Sequence, residues 1–93
     1  MRLSDTTRDF NTARTKHLIE GSINILTAHE EDATALRRVL VIIDAIVAHL
    51  DNPNTAGENG IRLISLLTKF ALITSLKGPY LQNQLAAEYL AGH

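Results

Sequence analysis

Ile61-Arg62-Leu63-Ile64-Ser65-Leu66-Leu67-Thr68-Lys69-Phe70-Ala71-Leu72-Ile73-Thr74-Ser75-Leu76 is the stretch on which the fold turns. Its only charges are Arg62 and Lys69. At the helical advance of about 100° per residue, Arg62, Ser65 and Lys69 share one narrow stripe. Leu63, Ile64, Leu66, Leu67, Phe70, Ala71, Leu72, Ile73 and Leu76 cover most of the remainder. A helix on the surface of a small bundle needs one apolar stripe, whereas one that is apolar nearly all round has to be covered on several sides. A chain of 93 residues supplies only part of that cover from its own elements. The excess points to a partner and makes this segment the main functional clue.

Upstream, the pattern of a bundle helix is cleaner. From about Asp32 to Leu50, the residues Leu36, Val39, Ile43, Ile46 and Leu50 recur at alternating steps of three and four, and Leu40 and Val47 widen the stripe. Arg37, Arg38, Asp44 and His49 lie off it, with Val41 and Ala48 on the far side. A first helix is expected from Asp5 to Thr27, with Ser4 and Asp5 as N-cap candidates. Its apolar arc is Leu18, Ile19, Ile23, Ile25 and Leu26, and before Leu18 only Phe10 and Ala13 carry an apolar signal. Thr27 to Glu30 fits a capping box, as does Thr55 to Glu58. Asp51-Asn52-Pro53-Asn54 breaks the second helix, and Lys77-Gly78-Pro79 reads as a C-cap glycine with a proline stop ending the third. A short fourth helix follows from Pro79 to Leu90, with Leu81, Leu85 and Tyr89 on one face. Short connections make neighbouring helices antiparallel. The expected fold is therefore all-α, an antiparallel bundle of about four helices in a single domain spanning residues 1–93.

Composition narrows the function. Apolar residues make up 45% and charged residues 20%, which is the balance of a globular domain, and the formal net charge is −1. The nine Lys and Arg are dispersed, with no run longer than Arg37-Arg38, so a phosphate-binding surface is not expected. The absence of Cys removes disulfides, thiolate metal sites and thiol nucleophiles. Met1-Arg2-Leu3-Ser4-Asp5 lacks the apolar core of a signal peptide, and Lys69 interrupts the one long apolar run, so a cytoplasmic protein without a membrane span is expected.

The candidate chemical groups do not assemble into a reaction. His17 and Glu20 are three apart on a helix, but a metal needs three or four converging ligands, and no second pair has matching spacing. Glu30, Glu31 and Asp32 are adjacent acids at a helix start, where the macrodipole favours them, rather than carboxylates set apart in a desolvated pocket. Gly57 and Gly60 belong to no phosphate loop, because no strand precedes them and no Gly-Lys-Ser/Thr follows. The third and fourth helices could mimic a helix-turn-helix whose reader offers Gln82, Asn83 and Gln84, yet no cation accompanies these amides. A DNA-binding regulator is therefore the weakest of three classes.

Several short motifs resemble the flagellar secretion chaperone FliS family. Ile42-Ile43-Asp44 leading to Leu50-Asp51, a short turn, then Gly57-Glu58, Leu63 and Leu66-Leu67 follow the family's order, and Leu18-Ile19-Glu20-Gly21-Ser22-Ile23 is similar to its Leu-Tyr-Glu-Gly-Ala-Ile. Thr12-Ala13 resembles its Thr-Ala-Ser-Pro opening. Ile19 and Leu67 replace the family's tyrosines, the interval from Gly21 to Leu50 is shorter by about two helical turns, and the family's Tyr-rich N-terminal segment has no counterpart. The resemblance implies a helical bundle that binds the disordered C-terminal segment of flagellin, blocks its premature polymerisation and presents it to the export gate. No cofactor is needed for that role.

The leading expectation is thus a non-enzymatic export chaperone or binding module, with flagellin or another exported protein as client. The alternative is a module that closes its excess apolar surface in a homodimer. Contact residues are expected at the edges or backs of the apolar stripes: Val41, Leu66, Leu72, Ile73 and Leu76. Burying one large aliphatic side chain is worth roughly 1.5–3 kcal/mol, so three or four left open forgo an amount comparable to a whole domain's stability of about 5–15 kcal/mol.

Overall fold

The computed structural model describes residues 3–52, 54, 56–71 and 78–92, with side chains from residue 7 onward. Four helices are present among them: α1 (Leu3–Ala28), α2 (Thr34–Ala48), α3 (Ala56–Phe70) and α4 (Gly78–Ala91). Cross-links fix their directions. Arg37 of α2 donates to Thr27 Oγ1 beside the α1–α2 turn, while Lys16 and Asp44 pair at 2.6 Å further from it. Gln82 donates to the Phe70 carbonyl near the start of α4, and Arg62 reaches Tyr89 near its end. The Asn59 amide of α3 donates to the His49 carbonyl just beyond α2. Each helix therefore runs antiparallel to the one before it, and the fold is the antiparallel all-α bundle expected. α1, with 26 residues at a rise of about 1.5 Å each, sets the 42 Å long dimension.

The stripe read for α2 is the inner wall of the core. Leu36, Val39, Ile43 and Ile46 are buried in one cluster with Ile19, Ile23 and Leu26 of α1 and Leu63, Leu66, Leu67 and Phe70 of α3. The α1 face differs from the expected arc. Ile25 is exposed, Leu18 is only partly covered, and the buried line is Thr12, Thr15, Ile19, Ser22, Ile23 and Leu26. Short hydroxyl side chains can be buried when their own helix satisfies them, and Thr12 Oγ1 donates to the Arg8 carbonyl at 2.7 Å. α1 is helical from Leu3, so Ser4 and Asp5 sit within its first turn rather than capping it.

The α1–α2 elbow is not a capping box. Glu31 N–H donates to the Leu26 carbonyl at 2.8 Å and Glu30 N–H to the Thr27 carbonyl at 3.1 Å. These are the paired bonds of a Schellman helix stop. The motif places its αL residue at Glu30, with φ 58°, where glycine is usual. Thr27 Oγ1 is instead an acceptor for Arg37. Asp32 opens α2: its Oδ1 accepts the Thr34 hydroxyl at 2.6 Å and the Thr34 amide at 2.9 Å.

The third connection also departs from the sequence reading. α3 ends at Phe70 with Ala71 in a bend, and Gly78 is the first residue of α4 rather than a C-cap of α3. Pro79 lies in the first turn of α4, where its missing N–H costs nothing. α4 buries Gly78, Pro79, Gln82 and Ala86, whereas Leu81, expected inside, is exposed. Gln82 is only 1% exposed, and its amide donates to the Phe70 carbonyl at 2.7 Å, satisfying one of the orphan acceptors of the α3 C-terminus. Asn83 Nδ2 donates to the Asp32 carbonyl at 2.8 Å, tying α4 to the elbow.

Two predictions follow from the elbow geometry. An L-residue held in αL is disfavoured by roughly 1–2 kcal/mol, partly offset in a glycine variant by the entropy of its unfolded chain. Glu30→Gly should therefore raise stability by about 0.5–1 kcal/mol, a shift of a few degrees in thermal midpoint measured by circular dichroism. Asp32 tests the other half of the elbow. Hydrogen bonds from the Thr34 hydroxyl and amide, with Arg37 adding to them, hold its carboxyl below the usual value. A depressed folded pKa contributes stability that is present above the unfolded pKa and lost as pH falls through the folded one. The urea-midpoint gap between wild type and Asp32→Ala should accordingly narrow as pH drops below about 4. A gap unchanged by pH would remove the ionic part of this assignment.

Candidate protein-docking surface

Turning Leu63, Leu66, Leu67 and Phe70 inward forces the other side of α3 outward. Ile61 is 73% and Ile64 61% exposed. They stand three residues apart, so their side chains are neighbours on one helix face. A groove lies on each side of this pair. Towards α1, Ile64 joins Thr7, Arg8, Asn11, Leu67 and Thr68 around about 340 Å³. Towards α4, Ile61 joins Glu58, Arg62, Ser65, Leu66 and Tyr89 around about 400 Å³.

The rims are polar and braced. Arg62 Nε donates to the Tyr89 hydroxyl at 3.0 Å, and Lys69 Nζ stands 5.9 Å from the centre of the same ring. Tyr89 is thereby fixed between two cations, and it walls the α4 groove while packing its inner side on the core. On the opposite rim, Arg8 Nε lies 3.6 Å from Asp9 Oδ1. An apolar ridge between two shallow grooves with polar edges is suited to an amphipathic helix, whose anchors enter at helical spacing.

The structure separates the five expected contact residues. Val41 is 67% exposed, on the outside of α2. Leu66 is 2% exposed and forms the floor of the α4 groove, because the Leu63-Leu66-Leu67-Phe70 seam claims it for the core. Leu72, Ile73 and Leu76 lie outside the described residues. Ile61 and Ile64 were not among the five. The signal for them was present, since a seam at residues 63, 66, 67 and 70 leaves 61, 64 and 68 on the opposite side.

Groups considered for chemistry are placed as follows. His17 and Glu20 are both exposed, and among the described residues no three His, Cys, Asp or Glu side chains are grouped to hold a metal. Glu30, Glu31 and Asp32 are exposed, and Asp32 has its carboxyl pKa lowered, opposite to the shift a general acid requires. Gln82 Nε2 and Asn83 Nδ2 donate to backbone carbonyls while their side-chain oxygens are buried without a partner, and exposed Gln84 donates to Glu88 on its own helix. Among the described residues no helix is long and apolar enough to cross a membrane.

What fold and surface define is an all-α bundle with an open aliphatic ridge. No family model, curated protein or solved structure matches the chain.

The surface reading predicts a sharp contrast in stability. Exposed positions tolerate substitution within about 0.5 kcal/mol, so the double variant Ile61→Gln, Ile64→Gln should keep the wild-type urea midpoint closely. Leu66→Gln, which places an amide in the core, should lose several kcal/mol and unfold in large part.

Proposed function

We propose that this protein is a non-enzymatic binding module that holds an apolar helical segment of a client protein, flagellin or another exported chain. One observation carries the reading: Ile61 and Ile64 form an open aliphatic ridge on α3 with a groove on either side. The resemblance of the Ile42-Ile43-Asp44 and Gly57-Glu58 stretches to the FliS family supplies the client class. A disordered client segment would fold as it docks, and its ordering cost would be offset by apolar anchors covering the ridge. Holding of this kind requires no cofactor and no nucleotide, and the client would be kept in the cytoplasm before export.

The test is calorimetric titration of the protein with the C-terminal segment of flagellin. The wild type should bind, and Ile61→Gln, Ile64→Gln should weaken binding by about tenfold or more, since each anchor is worth roughly 1.5–3 kcal/mol when covered. Absence of binding by the wild type, or equal binding by the folded double variant, overturns the proposal. Sedimentation of the purified chain addresses the homodimer alternative. A tight dimer that the same double variant dissociates would give the ridge to a second copy of this chain.

A further inference from the structure

α2 carries a second surface that the ridge on α3 does not use. Over its first two turns, Thr34, Arg37, Arg38, Val41 and Ile42 line a groove of about 340 Å³. Val41 and Ile42 form its apolar part, and Val41 is largely open. Arg37 and Arg38 are the only consecutive Lys or Arg residues in the sequence, and no acidic residue lines the groove.

Two of the neighbouring acids, Asp32 and Asp44, are engaged, and the exposed Glu30 and Glu31 lie in the elbow outside the groove lining. Asp32 accepts two hydrogen bonds from Thr34, and the charge of Arg37 helps hold its carboxyl below the usual range. Asp44, a turn beyond Val41, is held by Lys16. Arg37 itself donates to a neutral hydroxyl, Thr27 Oγ1. Arg38 is exposed and has no ion pair among the described residues. An apolar strip with two guanidinium groups and no carboxylate in its lining is thus left facing outward. The positive end of the α2 dipole lies under the same turns and adds to the field.

The geometry points to this groove as the docking site for an acidic amphipathic helix, its apolar anchor on Val41 and Ile42 and its Asp or Glu, one turn away, on Arg37 and Arg38. Guanidinium groups pair with carboxylates in planar, two-bonded geometry, so they supply orientation as well as attraction. A nucleic acid suits the groove less well, because phosphates leave the Val41 strip uncovered and two adjacent arginines neutralise few of them. The inference does not depend on the role of Ile61 and Ile64, which belong to other grooves.

Two labelled helical peptides test it on the full chain by fluorescence anisotropy at low salt. Both carry a leucine stripe; glutamates flank it in one and lysines in the other. The glutamate peptide should bind about tenfold more tightly than the lysine peptide. Arg37→Glu, Arg38→Glu should reverse that preference, and Val41→Ser, at an exposed position, should weaken both peptides several-fold with the fold intact by circular dichroism. Equal binding of the two peptides, a preference unchanged by the charge reversal, or loss of the glutamate peptide in Ile61→Gln, Ile64→Gln each overturns the assignment. Displacement of the glutamate peptide by duplex DNA at equal charge concentration would do the same, because it would make the site a phosphate surface.

Discussion

The packing of one aliphatic seam, Leu36-Val39-Ile43-Ile46 of α2, against Leu63, Leu66 and Phe70 of α3 and Ile19 and Leu26 of α1 fixes everything else in this molecule. With only two Phe, two Tyr and no Trp, the chain fills its interior chiefly with branched aliphatics, which pack by interdigitation and leave little rotational freedom about a helix axis. Once α3 commits Leu63, Leu66, Leu67 and Phe70 to that seam, the direction of its remaining side chains is no longer free. Ile61 and Ile64 must face away. The open ridge is therefore a direct result of how the core is built on a helix with more apolar residues than one seam can use.

Sequence periodicity made the α2 seam legible at Leu36, Val39, Ile43 and Ile46, because a regular three-four alternation has one geometric solution, while Val47, read as widening the stripe, is exposed and Leu50 lies just past the helix and is only partly buried. It was less informative where the buried line is polar. Thr12, Thr15, Ser22 and Gln82 carry no hydrophobic signal, yet each is buried. Thr12 is satisfied by the Arg8 carbonyl of its own helix and the Gln82 amide by the Phe70 carbonyl across to α3, whereas Thr15 Oγ1 and Gln82 Oε1 are buried without a partner, and none of this depends on period. In α4 the face expected at Leu81, Leu85 and Tyr89 is met in part: Leu85 and Tyr89 pack against the core, Leu81 is left outside, and Gln82 and Ala86 are the residues that become fully buried.

The elbows show a related limit. Thr27 and Glu30 have the right spacing for a helix start, but the helix that ends there has first claim on the local backbone. Its Schellman bonds use the Leu26 and Thr27 carbonyls and force Glu30 into the left-handed region. The N-cap position falls at Ala33, which offers no side-chain bond, and Asp32 just before it accepts the Thr34 amide instead. The open ridge was legible in kind rather than in detail. An apolar excess on the third helix was visible from composition and period, while the choice of Ile61 and Ile64 over Leu66 required knowing which side the core had taken.

The make-up of α4 sets how it is held. Apart from Pro79 it buries fully only Gly78, Gln82 and Ala86, so it gives the interior no large aliphatic side chain that is wholly enclosed, unlike the three helices before it. Its attachment combines the partly covered Leu85 and Tyr89 with two amide donors, Gln82 to the Phe70 carbonyl and Asn83 to the Asp32 carbonyl. Directional bonds of this kind fix the rotation and height of α4 against the end of α3 and the elbow, a placement that its apolar residues alone leave open.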